Sequence, residues 1–371
     1  MARLAVSFLF VILVASLPVD AQVGRDWGVE RRSYVDAVSG VRVQEMATVG
    51  VNDNLYFHFS NFTADNRYLI FSSNRTGTTQ FYRAEVSTGR IVQLTDNPGG
   101  SMRGLCPDHR RAERVYLIRG DEIHALNILD FTSRRVATIP KPYAGTGGFQ
   151  QPTLSGDGNS LTITKQVDEQ TWEIGLIDLR SGEYRTVIRQ GFRIGHVQHS
   201  PTDPVIFYVW ETGGYAPQRT WIVNSDGTGN RPFYARTDPK SWFSPLKEWI
   251  THEAWVEKTG EMTMINDKQG VMLVNRDGSS RMVIEGDYWH VAARPDGRFM
   301  VIDDNKGRLW LLETATGNRR LLATGLRDAV RSVHAHASFD RSGDYIQFHT
   351  GRTQETIAII DLRELPGLNW N

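Results

Sequence analysis

Residues 61–95 read NFTADNRYLIFSSNRTGTTQFYRAEVSTGRIVQLT, and this stretch decides the fold. Within it, residues 68–71, 80–84 and 91–94 alternate apolar and polar side chains as half-buried strands do, while Ala64-Asp65-Asn66 and Thr88-Gly89 supply turns. The pattern predicts three strands joined by two hairpins.

The unit recurs along the chain. Copies begin near Asn61, Cys106, Pro152, His199, His252, Val291 and His336, a spacing of roughly 45 residues that matches the blades of a propeller. Segments such as SGDGNSLTIT (155–164), RPDGRFMVID (294–303) and DRSGDYIQFH (340–349) repeat one idea, turn residues feeding a strand. The last copy offers strands at 345–349 and 356–361 and then stops, without the outermost strand of its predecessors. Near the N-terminus, residues 36–44 (DAVSGVRVQ) look like that missing turn and strand. The expected architecture is therefore all-β, a seven-bladed β-propeller closed by an N-terminal strand that completes the last blade. Such closure leaves the ring no open edge. A sandwich, or two stacked all-β domains, is the structural rival, but neither requires a fixed period.

Composition narrows the classes of function. The 371 residues carry 42 Lys+Arg against 42 Asp+Glu, with no basic block or acidic tail, which argues against a dedicated nucleic-acid surface. One cysteine, Cys106, excludes a disulfide framework and a cysteine-based zinc site. The opening MARLAVSFLFVILVASLPVDAQ has a short basic start, an apolar run and small residues near Ala21. It reads as a secretion signal over 1–21, leaving 22–371 as one propeller domain in a periplasmic or secreted protein without membrane insertion after cleavage.

In a propeller, residues just before each blade's first strand gather at one mouth of the channel although they are far apart in sequence. Seven of the 10 histidines fall at such places: His58, His196, His199, His252, His290, His334 and His336. The pair His334-Ala335-His336 has the i,i+2 spacing that puts two imidazoles on one face of a strand. With His290 from the preceding blade it would form a three-histidine shell suited to manganese, zinc, iron or nickel. His252, bracketed by Trp249 and Trp255, is a candidate neutral imidazole base. Arg219 could clamp a carboxylate through both arms of its guanidinium. Trp210, Tyr215 and Trp242 could stack on sugar faces.

Through these residues the chain resembles the oligogalacturonate lyases, seven-bladed propeller enzymes that cleave short uronate chains by β-elimination. The likeness is spread over nearly the whole mature chain: Tyr56-Phe57 leading to Phe62-Thr63, Gly195-His196, Arg219-Thr220-Trp221 followed by Asp226-Gly227, Thr251-His252-Glu253, His290, and His334-Ala335-His336 with Ser338-Phe339. What the resemblance implies is a divalent ion of the manganese type on His290, His334 and His336. It also implies His252 as the proton-abstracting base and Arg219 beside the substrate, an acidic oligosaccharide. Arg331 and His196 are assigned to substrate binding. Arg331 stands where the family has a glutamine as fourth metal ligand, and Phe59-Ser60 replaces the family's Gln-Lys pair in the first blade.

Other functions stay open at this stage. A TolB-like periplasmic propeller would use the same ring as a non-catalytic scaffold, its histidines merely filling the channel. A lyase for another acidic sugar would keep the base and change the substrate contacts. A peptidase propeller would need a separate hydrolase domain with a GxSxG elbow, for which there is neither motif nor spare length.

Overall fold

The computed structural model describes residues 22–97, 104–143, 151–212, 216–236, 248–326, 334–351 and 355–367. The export signal expected over 1–21 lies outside them, as do Tyr215, Trp242 and Arg331. The described strands form seven antiparallel sheets of four or five strands each. They are seven blades in a ring, as the repeat predicts, and the only helical turn among the described residues is a 3-10 turn at Leu362–Glu364.

Each blade runs outward from the axis in chain order, apart from the N-terminal strands added outside the first and seventh. The innermost strands are Asn52–Asn54, Leu105–Pro107, Thr153–Leu154, Ile194–His199, Ile250–Trp255, Tyr288–Ala293 and Ser338–Phe339. Middle strands are covered on both faces by the neighbouring blades, so their side chains bury almost without alternation, as in Met262–Asn266 and Thr356–Asp361. Outer strands such as Ser133–Thr138 face water and are largely exposed.

The core sits between the blades. Seven apolar clusters fill the seven interfaces; Ile70, Phe81 and Leu94 of the first blade, for example, pack against Leu105, Val115 and Leu117 of the second. Burying each such side chain contributes about 1.5–3 kcal/mol. The ring is therefore held by radial wedges of hydrocarbon, and the axis is left for polar groups.

Closure is more extensive than the sequence predicts. Arg42–Ala47 pairs with Thr356–Asp361 and completes the seventh blade as expected, and Arg32–Val35 adds a fifth strand outside it. Asp26–Val29 then crosses to the first blade and pairs with Arg90–Gln93. One N-terminal segment thus staples the first blade to the last. Met46 and Ala47 pack with Phe71, Tyr82, Ile357 and Ile359 across that seam.

The first blade departs from the reading at one point. Its copy was expected to start near Asn61, but the innermost strand is Asn52–Asn54, and Phe62 makes only an isolated bridge to Leu69. The intervening loop carries Tyr56, Phe57 and His58 to the axis, where they make ring contacts with the channel histidines.

Candidate active site at the channel mouth

The inner strands do not run straight through the axis. Pairing registers slip between Gly195 and Gln198, between Thr251 and Ala254, and between Tyr288 and Val291. These are bulges, which turn a side chain out of the regular pleat. His196, His252 and His336 have φ of 45°, 54° and 41°, in the left-handed region. That conformation is costly for a residue with a Cβ and persists where surrounding bonds enforce it. The His336 carbonyl accepts from Asn54 Nδ2 and Gln347 Nε2, both at 3.0 Å, and the Glu253 carbonyl accepts from Gln198 Nε2 at 2.8 Å.

The metal-type histidines converge. His290, His334 and His336 each offer a ring nitrogen, all within 4.8 Å of one another. Ring centroids lie 4.8 Å apart for His290 and His336, and 5.3 Å for His290 and His334. The route to this convergence differs from the expected one: His334 and His336 precede the strand Ser338–Phe339 instead of lying on it, so the i,i+2 face of a strand is not what aligns them. Three imidazoles suit a borderline divalent ion. Asp303 lies 3.0 Å from His290 Nδ1, the carboxylate–histidine arrangement that fixes ring orientation in metal sites. Burial, reinforced by His290 and His334, pushes His336 well below the usual imidazole range, and a ligand must be neutral. The residues present therefore fit such an ion.

His252 stacks beside this group, its ring centroid 4.3 Å from His290 and 4.8 Å from Trp289. Burial, followed by His290 and His196, pushes it well below the usual imidazole range. Its Nδ1 is buried without a hydrogen-bond partner, and Phe57 and Trp289 supply aromatic rings against it. Phe57 closes the floor, 5.5 Å from His290 and 5.8 Å from His252 between ring centroids.

Arg219 is placed differently from the simple clamp. It is 2% exposed, and its Nε donates to Glu253 Oε1 at 2.7 Å. A two-armed grip through Nε is thereby already used internally. Nη1 lies 3.8 Å from Glu211 and is buried without a hydrogen-bond partner, so the guanidinium keeps one unsatisfied donor beside Glu211. His196 lies on the other side of the same carboxylate, with Nδ1 2.7 Å from Glu253 Oε2. Burial pushes the fully buried Glu253 carboxyl up, but Arg219 and then His196 outweigh it and hold it well below its ordinary value. Two cationic or donor groups thus share one buried anion.

His58 also joins the ring of contacts, 5.8 Å from His196, and burial pushes it well below the usual range. His199 does not join: it bonds to the Ser200 carbonyl and Ser225 Oγ, both at 3.1 Å, and serves packing. Trp210 stacks on Phe192 with centroids 4.8 Å apart. Sequence reasoning missed Asp303, Glu253 and Glu211. The one signal for Asp303 is a charged pair, Asp303-Asp304, closing an otherwise apolar strand, Phe299–Asp304.

The fold and the histidine cluster define a class, a closed seven-bladed propeller with a candidate metal site and a neutral imidazole at its axis. No protein-family model matches the chain. Among curated proteins it is similar to the oligogalacturonate lyase of Dickeya dadantii, 24% identical over 258 residues, a match spanning 64% of this chain and 64% of that relative. It is also similar to the oligogalacturonide lyase of Pectobacterium atrosepticum, 21% identical across 91% of this chain and 97% of that one. Its fold matches the crystal structure of oligogalacturonate lyase from Vibrio parahaemolyticus, with a TM-score of 0.78, 19% identity, and 92% and 99% of the two chains covered. A structure of oligogalacturonate lyase in complex with manganese superposes with a TM-score of 0.81 at 18% identity, covering 92% of this chain and 98% of the other. The resemblance drawn from the residues thus holds in sequence and in fold.

Proposed function

We propose that this protein is a lyase that cleaves oligogalacturonides or related uronate oligosaccharides by β-elimination, releasing products with a 4,5-unsaturated uronate end. The observation that carries the proposal is the approach of a neutral, buried His252 to the three-histidine cluster, with ring centroids 4.3 Å apart for His252 and His290. Named relatives and a manganese-bound neighbour in the same fold support it.

The chemistry needs those partners. The C5 proton of a uronate is too weakly acidic for an imidazole unless the adjacent carboxylate is neutralised. A divalent ion held by His290, His334 and His336, of the manganese type, would supply that neutralisation and stabilise enolate-like charge. His252 takes the C5 proton, a role open to it because burial keeps it unprotonated beforehand. Arg219 is held through Nε by Glu253 and offers its unsatisfied Nη1 donor to a substrate oxygen that reaches it. Phe57 packs against His252 and His290, and Arg331 serves in substrate binding.

The test is a panel of galacturonide, glucuronide and other uronate oligomers incubated with the manganese-loaded protein, read by ultraviolet absorbance of the conjugated product. Absorbance with one class assigns the substrate. A flat trace with every oligomer, from a protein that does bind the ion, would leave the ring as a binding scaffold.

A further inference from the structure

β-Elimination needs a proton donor for the departing oxygen as well as a base, and the sequence names none. We infer that His196, held by Glu253, is that donor; the inference rests on the lyase function proposed above.

The geometry selects it from the groups at the mouth. His196 lines the open end of the channel with Tyr56, Arg193 and Glu211, so water can reach it between turnovers. Its side chain is 18% exposed, whereas Glu253 behind it is fully buried. An ionised carboxylate only accepts hydrogen bonds, so the 2.7 Å contact to Glu253 Oε2 fixes a hydrogen on Nδ1 and leaves Nε2 as the nitrogen that exchanges protons. Nε2 lies 3.6 Å from Glu211 Oε2, too far for a hydrogen bond, and both residues line the same opening, so a substrate oxygen entering there can take the Nε2 proton. The buried Glu253 balances the charge of a ring that carries both protons.

The other described groups around it are poorer donors. Burial, then Glu253 and Glu211, pushes the Tyr56 hydroxyl far above the usual phenol range, so it holds its proton. Arg219 is a guanidinium and does not release one in proteins. Burial holds His58 well below the usual imidazole range, and His252 is already engaged as the base. His252 must in any case begin the reaction unprotonated.

The step balances as follows. His252 takes the C5 proton, the C–H electron pair becomes the C4–C5 double bond, and the C4–O bond breaks with its pair going to oxygen. That oxygen takes a proton from His196 Nε2. His196 then regains one from water, and His252 returns its own to water. Glu253 is a positioning residue, acting only through His196 and Arg219.

A donor is diagnosed by the leaving group. Manganese-loaded wild type, His196→Gln, His196→Asn, Glu253→Asp and His252→Ala are each assayed on a galacturonide oligomer and on a uronate carrying nitrophenolate at C4, which leaves without protonation. Folding is checked by melting and by manganese binding. The expected result is a loss of about 100-fold or more on the oligomer for both His196 variants, with most of the rate restored on the nitrophenolate. Glu253→Asp should show a smaller loss with the same leaving-group dependence, and His252→Ala should be inactive on both. Equal losses on both substrates, or no loss on the oligomer, would overturn the assignment of His196. Wild type inactive on both substrates would instead refute the lyase function itself.

Discussion

Asp303 Oδ2 lies 3.0 Å from His290 Nδ1, and Asp303 Oδ1 accepts the backbone N–H of the same histidine at 2.6 Å. One carboxylate thereby fixes both the ring and the main chain of the residue that sits between His252 and the histidine pair.

Losing that carboxylate should loosen the site without emptying it. Asp303→Asn is expected to weaken manganese binding by about 10- to 100-fold, measured by titration calorimetry, while replacing His334 and His336 together by alanine removes binding altogether. Wild-type affinity in Asp303→Asn would show that Asp303 does not orient the ligand.

The left-handed backbone at His252 separates two effects that one substitution usually mixes. Both His252→Ala and His252→Gly remove the imidazole and should abolish turnover. Only glycine adopts a φ of 54° without cost, so the glycine variant should be the more stable by about 1 kcal/mol. Thermal melts of the two variants decide it, and the opposite order would mean that the backbone relaxes there.

The buried carboxylate predicts an acid limit to stability. Glu253 is held below its ordinary value of 4.5, so its ionised form stabilises the fold fully above that pH and progressively less as pH falls toward the folded value. Glu253→Gln should cost about 3 kcal/mol near neutrality, and the gap from wild type should narrow below about pH 4.5. A gap independent of pH in urea titrations would rule out Glu253 as the charged partner of Arg219 and His196.

Deletion of residues 22–47 removes the strand paired with Thr356–Asp361 and the strand crossing to the first blade. Exposed Ile357 and Ile359 then form an unpaired edge beside an opened seam. The deletion variant should aggregate or melt well below wild type, as size exclusion and calorimetry would report. A monomer of unchanged stability would show that the staple is dispensable.

The ring was legible because each blade repeats its own turn and strand chemistry, and because residues 36–44 visibly supply what the last copy lacks. The gathering of His252, His290, His334 and His336 was legible for the same reason, since blade starts converge by geometry. What escaped was whatever depends on direction. Nothing in Gly195-His196-Val197 or Thr251-His252-Glu253 announces a left-handed histidine, where glycine or asparagine would ordinarily mark one. Glu253 stands in sequence only as the neighbour of a candidate base, yet at the bulge it meets both Arg219 and His196. Asp303 lies on the second strand of its blade, one layer behind the positions where chemistry was sought.

The N-terminal staple also has a consequence in time. Residues 42–47 are made long before their partner, Thr356–Asp361. Until then residues 42–47 have nowhere to dock, and the ring cannot close between its first and seventh blades. The nascent chain therefore exposes the edges of its first and last blades until the staple closes, a window in which each could pair with another chain.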